Sequence, residues 1–243
     1  MGDQEDHRRE VEKTQRKLLA TEAALLLLLR RKVRRQVLPG DPWAARATLS
    51  QSLASVYLTG RIVAHTAGLT RLEAELQTID PELAALVPAQ GGMADAFGIS
   101  AGLWALLGSR RSRVAADGYA DRWLRLVREE QAAGTLNPYD AAFKRAAPRL
   151  ELGAVTENSE AFNRARQDAI RRISHTRTDV DLVRVWNAVL DKRTCERCSR
   201  NDGKWIEAAA SFPEGEPGSI HNRCRCTDEL MPRHWVSNLD VAA

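Results

Sequence analysis

Through most of this chain, apolar positions recur among polar ones with the period of an α-helix. Val11, Leu18, Leu19, Leu25, Leu26 and Leu29 predict one long helix over residues 3–37, which Pro39-Gly40 stops. Asp41-Pro42 supplies an N-cap followed by proline at the first helical position, and opens a stretch running to about Ile79. Interruptions are expected there near Gly60 or Gly68. Asp80-Pro81 starts a short helix in the same way, and residues 89–102, rich in Gly, Ala and Ser, punctuate the chain. Ile99–Leu107 and Ala115–Ala133 read as helical, with breaks expected around Gly108 and Gly118; Gly134 and Asn137-Pro138 end that run. Leu136–Leu150 predicts another short helix. Thr156 is expected to cap a last one through His175, with Ala161, Phe162, Ala165, Ala169 and Ile173 facing inward.

The pattern then changes. Leu182–Leu190 is β-branched and aromatic and predicts a strand. Asp202-Gly203 is a turn signal before a returning strand at Lys204-Trp205-Ile206, and Thr227–Met231 predicts a final strand. The expected fold class is mainly α, with a small C-terminal α+β module built on a zinc-knuckle-like β-hairpin. The expected organisation is a helical region over 1–150, a module over 151–236 and a tail over 237–243.

Composition agrees with this division. Hydrophobic residues make up 44% of the 243 and aromatics only 5%, which favours helix packed on helix. The net charge of +4, from 36 Lys and Arg against 32 Asp and Glu, permits contact with nucleic acid without demanding it. The longest apolar run, Ala23–Leu29, is far short of the roughly 18 residues a membrane-spanning helix needs. It runs into Arg30-Arg31-Lys32-Val33-Arg34-Arg35 without a cleavage site of the signal-peptide kind. No membrane partner is therefore expected, and folding is expected in a reducing cytoplasm, where clustered cysteines point to metal more than to disulfides.

All four cysteines fall between Cys195 and Cys226, as Cys195-x-x-Cys198 and Cys224-x-Cys226, with His221 three residues before Cys224. Five candidate ligands thus compete for the four positions of a tetrahedral zinc ion: Cys195, Cys198, His221, Cys224 and Cys226. If Arg225 lies in an extended segment, Cys224 and Cys226 face the same side; if the segment turns, only one reaches. The set is all four cysteines, or three with the histidine. Three or four thiolates suit a closed, structural site, and a module with few large apolar residues needs such a staple. Free thiols or a disulfide are the alternative. Arg193, Arg197, Arg200, Arg223 and Arg225 surround the cluster, but Glu196, Asp202, Glu207, Glu214 and Glu216 offset them, giving a mixed solvated surface. Trp186 and Trp205 are expected to pack around the cluster, and Glu157 and Asn163 to serve as capping and surface polarity.

Several of these residues together carry a resemblance. They are Thr156-Glu157, Phe162-Asn163-x-Ala165-Arg166, Trp186-x-x-x-Leu190-Asp191-x-Arg193-Thr194-Cys195-x-x-Cys198, Asp202-Gly203-Lys204 and His221-x-x-Cys224-Arg225-Cys226. Over Thr156–Met231 the chain resembles the minor head, or head morphogenesis, proteins of tailed bacteriophages, the phage Mu F-like family. The family pattern usually places proline beside the histidine, where this chain has Asn222. The resemblance implies a structural virion protein, made in the host cytoplasm and enclosed in the head near the portal. It would assist head assembly, DNA packaging or DNA delivery. Its implied partners are the portal protein and other head proteins, with at most a weak DNA contact. The variable helical region would dock on portal or scaffold. The resemblance assigns no enzymatic activity. A zinc-containing nucleic-acid-binding protein and a His-Asn-His-like nuclease are the competing readings. The nuclease needs further positioned histidines, and His175 and His234 sit in no suitable motif.

Overall fold

The computed structural model describes residues 41–87, 101–188, 190, 192, 194–221 and 224–236. The helix expected over 3–37 and the tail over 237–243 lie outside the described residues. Helix α1 spans Pro42–Ile79, with Asp41 Oδ1 accepting the Trp43 N–H at 2.8 Å. The short α2, Pro81–Ala84, is capped in the same way by Asp80, which accepts the Glu82 N–H at 2.9 Å. Helix α3 spans Ala101–Ala132 and ends before Gly134, whose φ is +71°. Asn137 Oδ1 then accepts the Asp140 N–H at 3.3 Å and starts α4, Pro138–Thr176.

These helices run through the breaks expected from the sequence. Helix α1 is continuous past Gly60 and Gly68, and α3 past Gly108 and Gly118. A helical glycine costs only about 1 kcal/mol relative to alanine, and packing outweighs that. A Cβ on Gly68 would lie 2.4 Å from the Phe162 carbonyl oxygen, so the absent side chain is what lets α1 and α4 approach there. Gly118 faces open space, while Ala116, Tyr119, Ala120 and Trp123 beside it are buried. The expected boundary between Leu150 and Thr156 is also absent. Thr156 is not an N-cap: its hydroxyl donates to the Leu152 carbonyl at 2.8 Å, inside α4. Pro148, which has no N–H to donate, sits within the same helix between buried Ala146 and Leu150.

The described residues form two compact units, and α1 and α4 each contribute to both. In the unit of residues 41–62 and 101–157, Leu49, Leu53 and Tyr57 line one face of α1. They pack with Trp123 and Val127 of α3 and Phe143, Ala146 and Leu150 of α4. Trp123 meets Tyr139 at a ring separation of 6.0 Å. Glu157 is half-buried and pairs with Arg61 rather than serving as surface polarity.

The unit of residues 63–87 and 158–236 joins helical segments to a three-stranded antiparallel sheet. Strand β1 is Leu182–Asn187, β2 is Trp205–Glu207 and β3 is Thr227–Pro232, in the order β2-β1-β3. Val185 pairs with Trp205 on one side and with Glu229 on the other. Five of the six β1 residues are buried, as expected of a strand covered on both faces. Leu182 joins the core of Leu69, Leu72, Leu76, Ile170, Ile173 and Leu230. Val183 and Val185 pack with Val236 and Trp205. Among the described residues no helix is long and apolar enough to cross a membrane.

Candidate metal centre

The first pair of cysteines is presented by a single turn of helix. Cys195 caps α5, Glu196–Asn201, its sulfur accepting the Cys198 N–H at 3.4 Å. That turn brings both sulfurs to one side. His221 enters from the loop beyond β2, with Nε2 3.3 Å from the Cys195 sulfur and 3.0 Å from the Cys198 sulfur. The Cys224 N–H donates to the His221 carbonyl at 3.1 Å, which ties the histidine to the second cysteine pair. Cys224 and Cys226 are both buried while Arg225 between them is half-exposed, the alternation of an extended segment entering β3.

The donor atoms fall into two overlapping sets, Cys195 with Cys198 and His221, and Cys198 with Cys224 and Cys226. Within each set every donor lies within 4.8 Å of the others. Cys198 belongs to both, its sulfur 3.9 Å from that of Cys224. All five residues singled out in the sequence are therefore brought together, and all four cysteines are free thiols. Soft sulfur donors with one imidazole, half-buried to fully buried, fit zinc or another thiophilic ion.

The surroundings divide the thiols into those that favour the thiolate and those that keep a proton. At Cys224, the hydrogen bond from the Cys226 thiol pulls the pKa down; burial opposes this, and the backbone N–H groups of Cys226 and Gly218 add to it. The same bond raises Cys226, and burial raises it further. Burial also raises Cys198. Burial pushes Cys195 up, but the Cys198 N–H and the neighbouring His221 outweigh it and hold the thiol below its usual value.

Trp186 packs edge-on against Phe212, ring centroids 5.1 Å apart, in the core that also holds Cys198, Cys224 and Cys226. Trp205 departs from the expectation: it packs with Val183 and Val185, and Arg233 lies over its ring. Arg197 pairs with Glu214 and Arg200 with Glu196, giving the mixed charged surface expected around the cluster.

Asn163 corrects the sequence reading most sharply. It is 2% exposed, and its amide donates to the carbonyls of Ser159 at 2.9 Å and Cys226 at 3.2 Å. Arg166, one turn further along α4, belongs to a chain of alternating charges that the sequence reading missed. The order is Glu229–Arg71–Glu75–Arg166–Asp228–Arg184–Glu216–Arg171. Arg166, Arg184 and Asp228 are fully buried. Burial would raise the Asp228 pKa, but Arg166 and Arg184 outweigh it and hold the carboxyl below its usual range. Arg184, a charged residue inside the otherwise apolar run Leu182–Trp186, is the one signal in the sequence that could have pointed to this chain.

The family model described as Phage Mu protein F like protein matches residues 127–229, which take in every one of these candidate ligands. No curated protein and no solved structure matches the chain.

Proposed function

We propose that this chain, phage Mu F-like over residues 127–229, is a minor structural protein of a tailed-phage or prophage head. In this reading it associates with the portal, is enclosed in the virion, and assists head assembly, DNA packaging or delivery without catalysing a reaction. The observation that carries the reading is the family match, which spans both cysteine pairs and His221. The helical residues outside the match would supply the surface for the portal protein and other head proteins.

The cluster is read as a structural zinc site, with four ligands drawn from Cys195, Cys198, His221, Cys224 and Cys226. Zinc bound there would cross-link the turn after β1 to the segment entering β3. A role in holding shape suits sulfur-rich coordination, which leaves no position for a reactive water. Placement of His221 between two thiols also favours a ligand over the general base of a nuclease.

Two measurements test the reading. Co-purification with the portal protein of the same phage should give a stable complex; no association at micromolar concentrations would remove the portal role. Purified protein should carry about one zinc per chain, and Cys195→Ser should lose it and unfold more readily. Unchanged stoichiometry and melting would remove the zinc site.

A further inference from the structure

We propose that Asn163 and Arg166 of α4 form a clamp that sets the register of the segment bearing Cys224 and Cys226, and so positions the second pair of metal ligands. This rests on the zinc reading above. Asn163 Nδ2 donates to the Cys226 carbonyl at 3.2 Å, and Arg166 Nη2 to the Asp228 carbonyl at 3.0 Å. Carbonyls two residues apart on an extended strand point to the same side, about 7 Å apart. Side chains three residues apart on a helix share a face and are offset by about 4.5 Å along it, a difference the long arginine spans. A slip of one residue would offer the carbonyls of Arg225 and Thr227 to the clamp instead, and would turn both sulfurs to the opposite face.

The clamp is itself held. Arg166 Nη2 also meets Glu75 Oε2 at 2.6 Å, and Arg166 Nε meets Asp228 Oδ1 at 3.3 Å. Asn163 is fixed by its second bond, to the Ser159 carbonyl at 2.9 Å. Both neighbours of its Nδ2 are carbonyl oxygens, so only the amide nitrogen can occupy that place. A carboxylate there would set lone pairs against lone pairs. The same amide borders Gly218, where a Cβ would lie 2.2 Å from Nδ2. Gly218 in turn gives its backbone N–H to the Cys224 sulfur. Asn163 therefore touches the supports of both sulfurs of the pair. Groups that orient metal ligands in this way typically change metal affinity about 10–100-fold when removed.

Asn163→Ala, Asn163→Asp and the milder Asn163→Ser are compared with wild type and with Ile170→Ala. Ile170 is a buried α4 residue in the apolar core. Cobalt(II) is the probe, read by its thiolate charge-transfer absorption and by competition with a chromophoric chelator. The alanine and aspartate variants should lose at least about tenfold in affinity, with an altered band, and the serine variant should lose less. Ile170→Ala should melt earlier with wild-type band and affinity. Wild-type affinity and spectrum in a folded Asn163→Ala or Asn163→Ser protein would overturn the clamp. So would an equal loss in Ile170→Ala. If wild type takes up neither cobalt nor zinc, the zinc reading fails, and the clamp is judged on metal-free protein. Cys224 and Cys226 should then react faster with an aromatic disulfide reagent in Asn163→Ala than in Ile170→Ala; equal rates would overturn it.

Discussion

Asp228 sits at the middle of the eight-membered charge chain, and its removal has a cost that the geometry sets. Its carboxylate meets Arg166 Nε at 3.3 Å and Arg184 Nη1 at 2.9 Å. Without it the chain splits into two parts. Glu229, Arg71, Glu75 and Arg166 remain balanced, two charges against two. Arg184, Glu216 and Arg171 keep one cation in excess, and Arg184 is the fully buried one. Breaking a buried pair by removing one partner costs about 3–5 kcal/mol, because the other charge stays desolvated. Asp228→Ala should therefore lose about that much, or roughly 6–20 °C in melting temperature for a protein of this size. Asp228→Asn, which keeps the shape and an acceptor, should lose less. Adding Arg184→Met to Asp228→Ala should recover part of the loss, since the uncompensated charge is gone. Urea unfolding followed by far-UV circular dichroism, with amide exchange of β1, measures all three. A loss below about 1 kcal/mol in Asp228→Ala, or no recovery in the double variant, would refute the account.

Three further outcomes follow from particular residues. Asp228 has a folded pKa held below its unfolded value of about 3.9. Its contribution is therefore present above that value and lost as pH falls through the folded pKa. The gap in stability between wild type and Asp228→Asn should stay level from about pH 8 to 5 and close below about pH 4, as urea titrations across pH will check. Gly203→Ala and Gly218→Ala both place a side chain at positive φ, +78° and +80°, each costing about 1–2 kcal/mol. Only Gly218→Ala also collides, with Asn163 Nδ2 at 2.2 Å and the Ser159 carbonyl at 3.1 Å, and should lose a further 1–3 kcal/mol or so in the same melts. Free zinc at about a hundred times its dissociation constant should add about 2.7 kcal/mol, reversed by a chelator and visible as a shift in thermal unfolding.

Much of the fold was legible because its signals are local. Asp41 and Asp80 were readable as helix starts because each accepts an N–H two residues on, while Asn137, read only as the end of the preceding run, also caps α4. The β-branched run from Leu182 and the Asp202-Gly203 turn signalled a strand and its return in the same way. The glycines misled because their cost inside a helix is fixed by the backbone, while the packing that overrides it comes from elsewhere: Gly68 owes its place to Phe162, 94 positions away. The cysteine spacing announced a cluster. It could not announce that His221 would stand with Cys195 and Cys198 while Cys226 stood with Cys224, because that depends on the path of residues 199–220. Asn163 was misread, and the partners of Arg166 were missed, for the same reason. Their partners Cys226 and Asp228 lie more than 60 residues away, and a buried polar residue on a helix has no periodic signature of its own.

The strand order β2-β1-β3 gives the two cysteine pairs different histories. The chain from β1 to β2 is short, and α5 lies within it, so Cys195 and Cys198 are placed as soon as that hairpin closes. Once that hairpin has formed, the β1–β3 ladder must still close the roughly 19 residues between β2 and β3, an entropic cost of about 2.6 kcal/mol, before Cys224 and Cys226 arrive. Ion capture is thus expected as a late event in folding, after the outer strand has zipped onto the centre. Refolding in the presence of cobalt should develop the thiolate absorption more slowly than the helical signal.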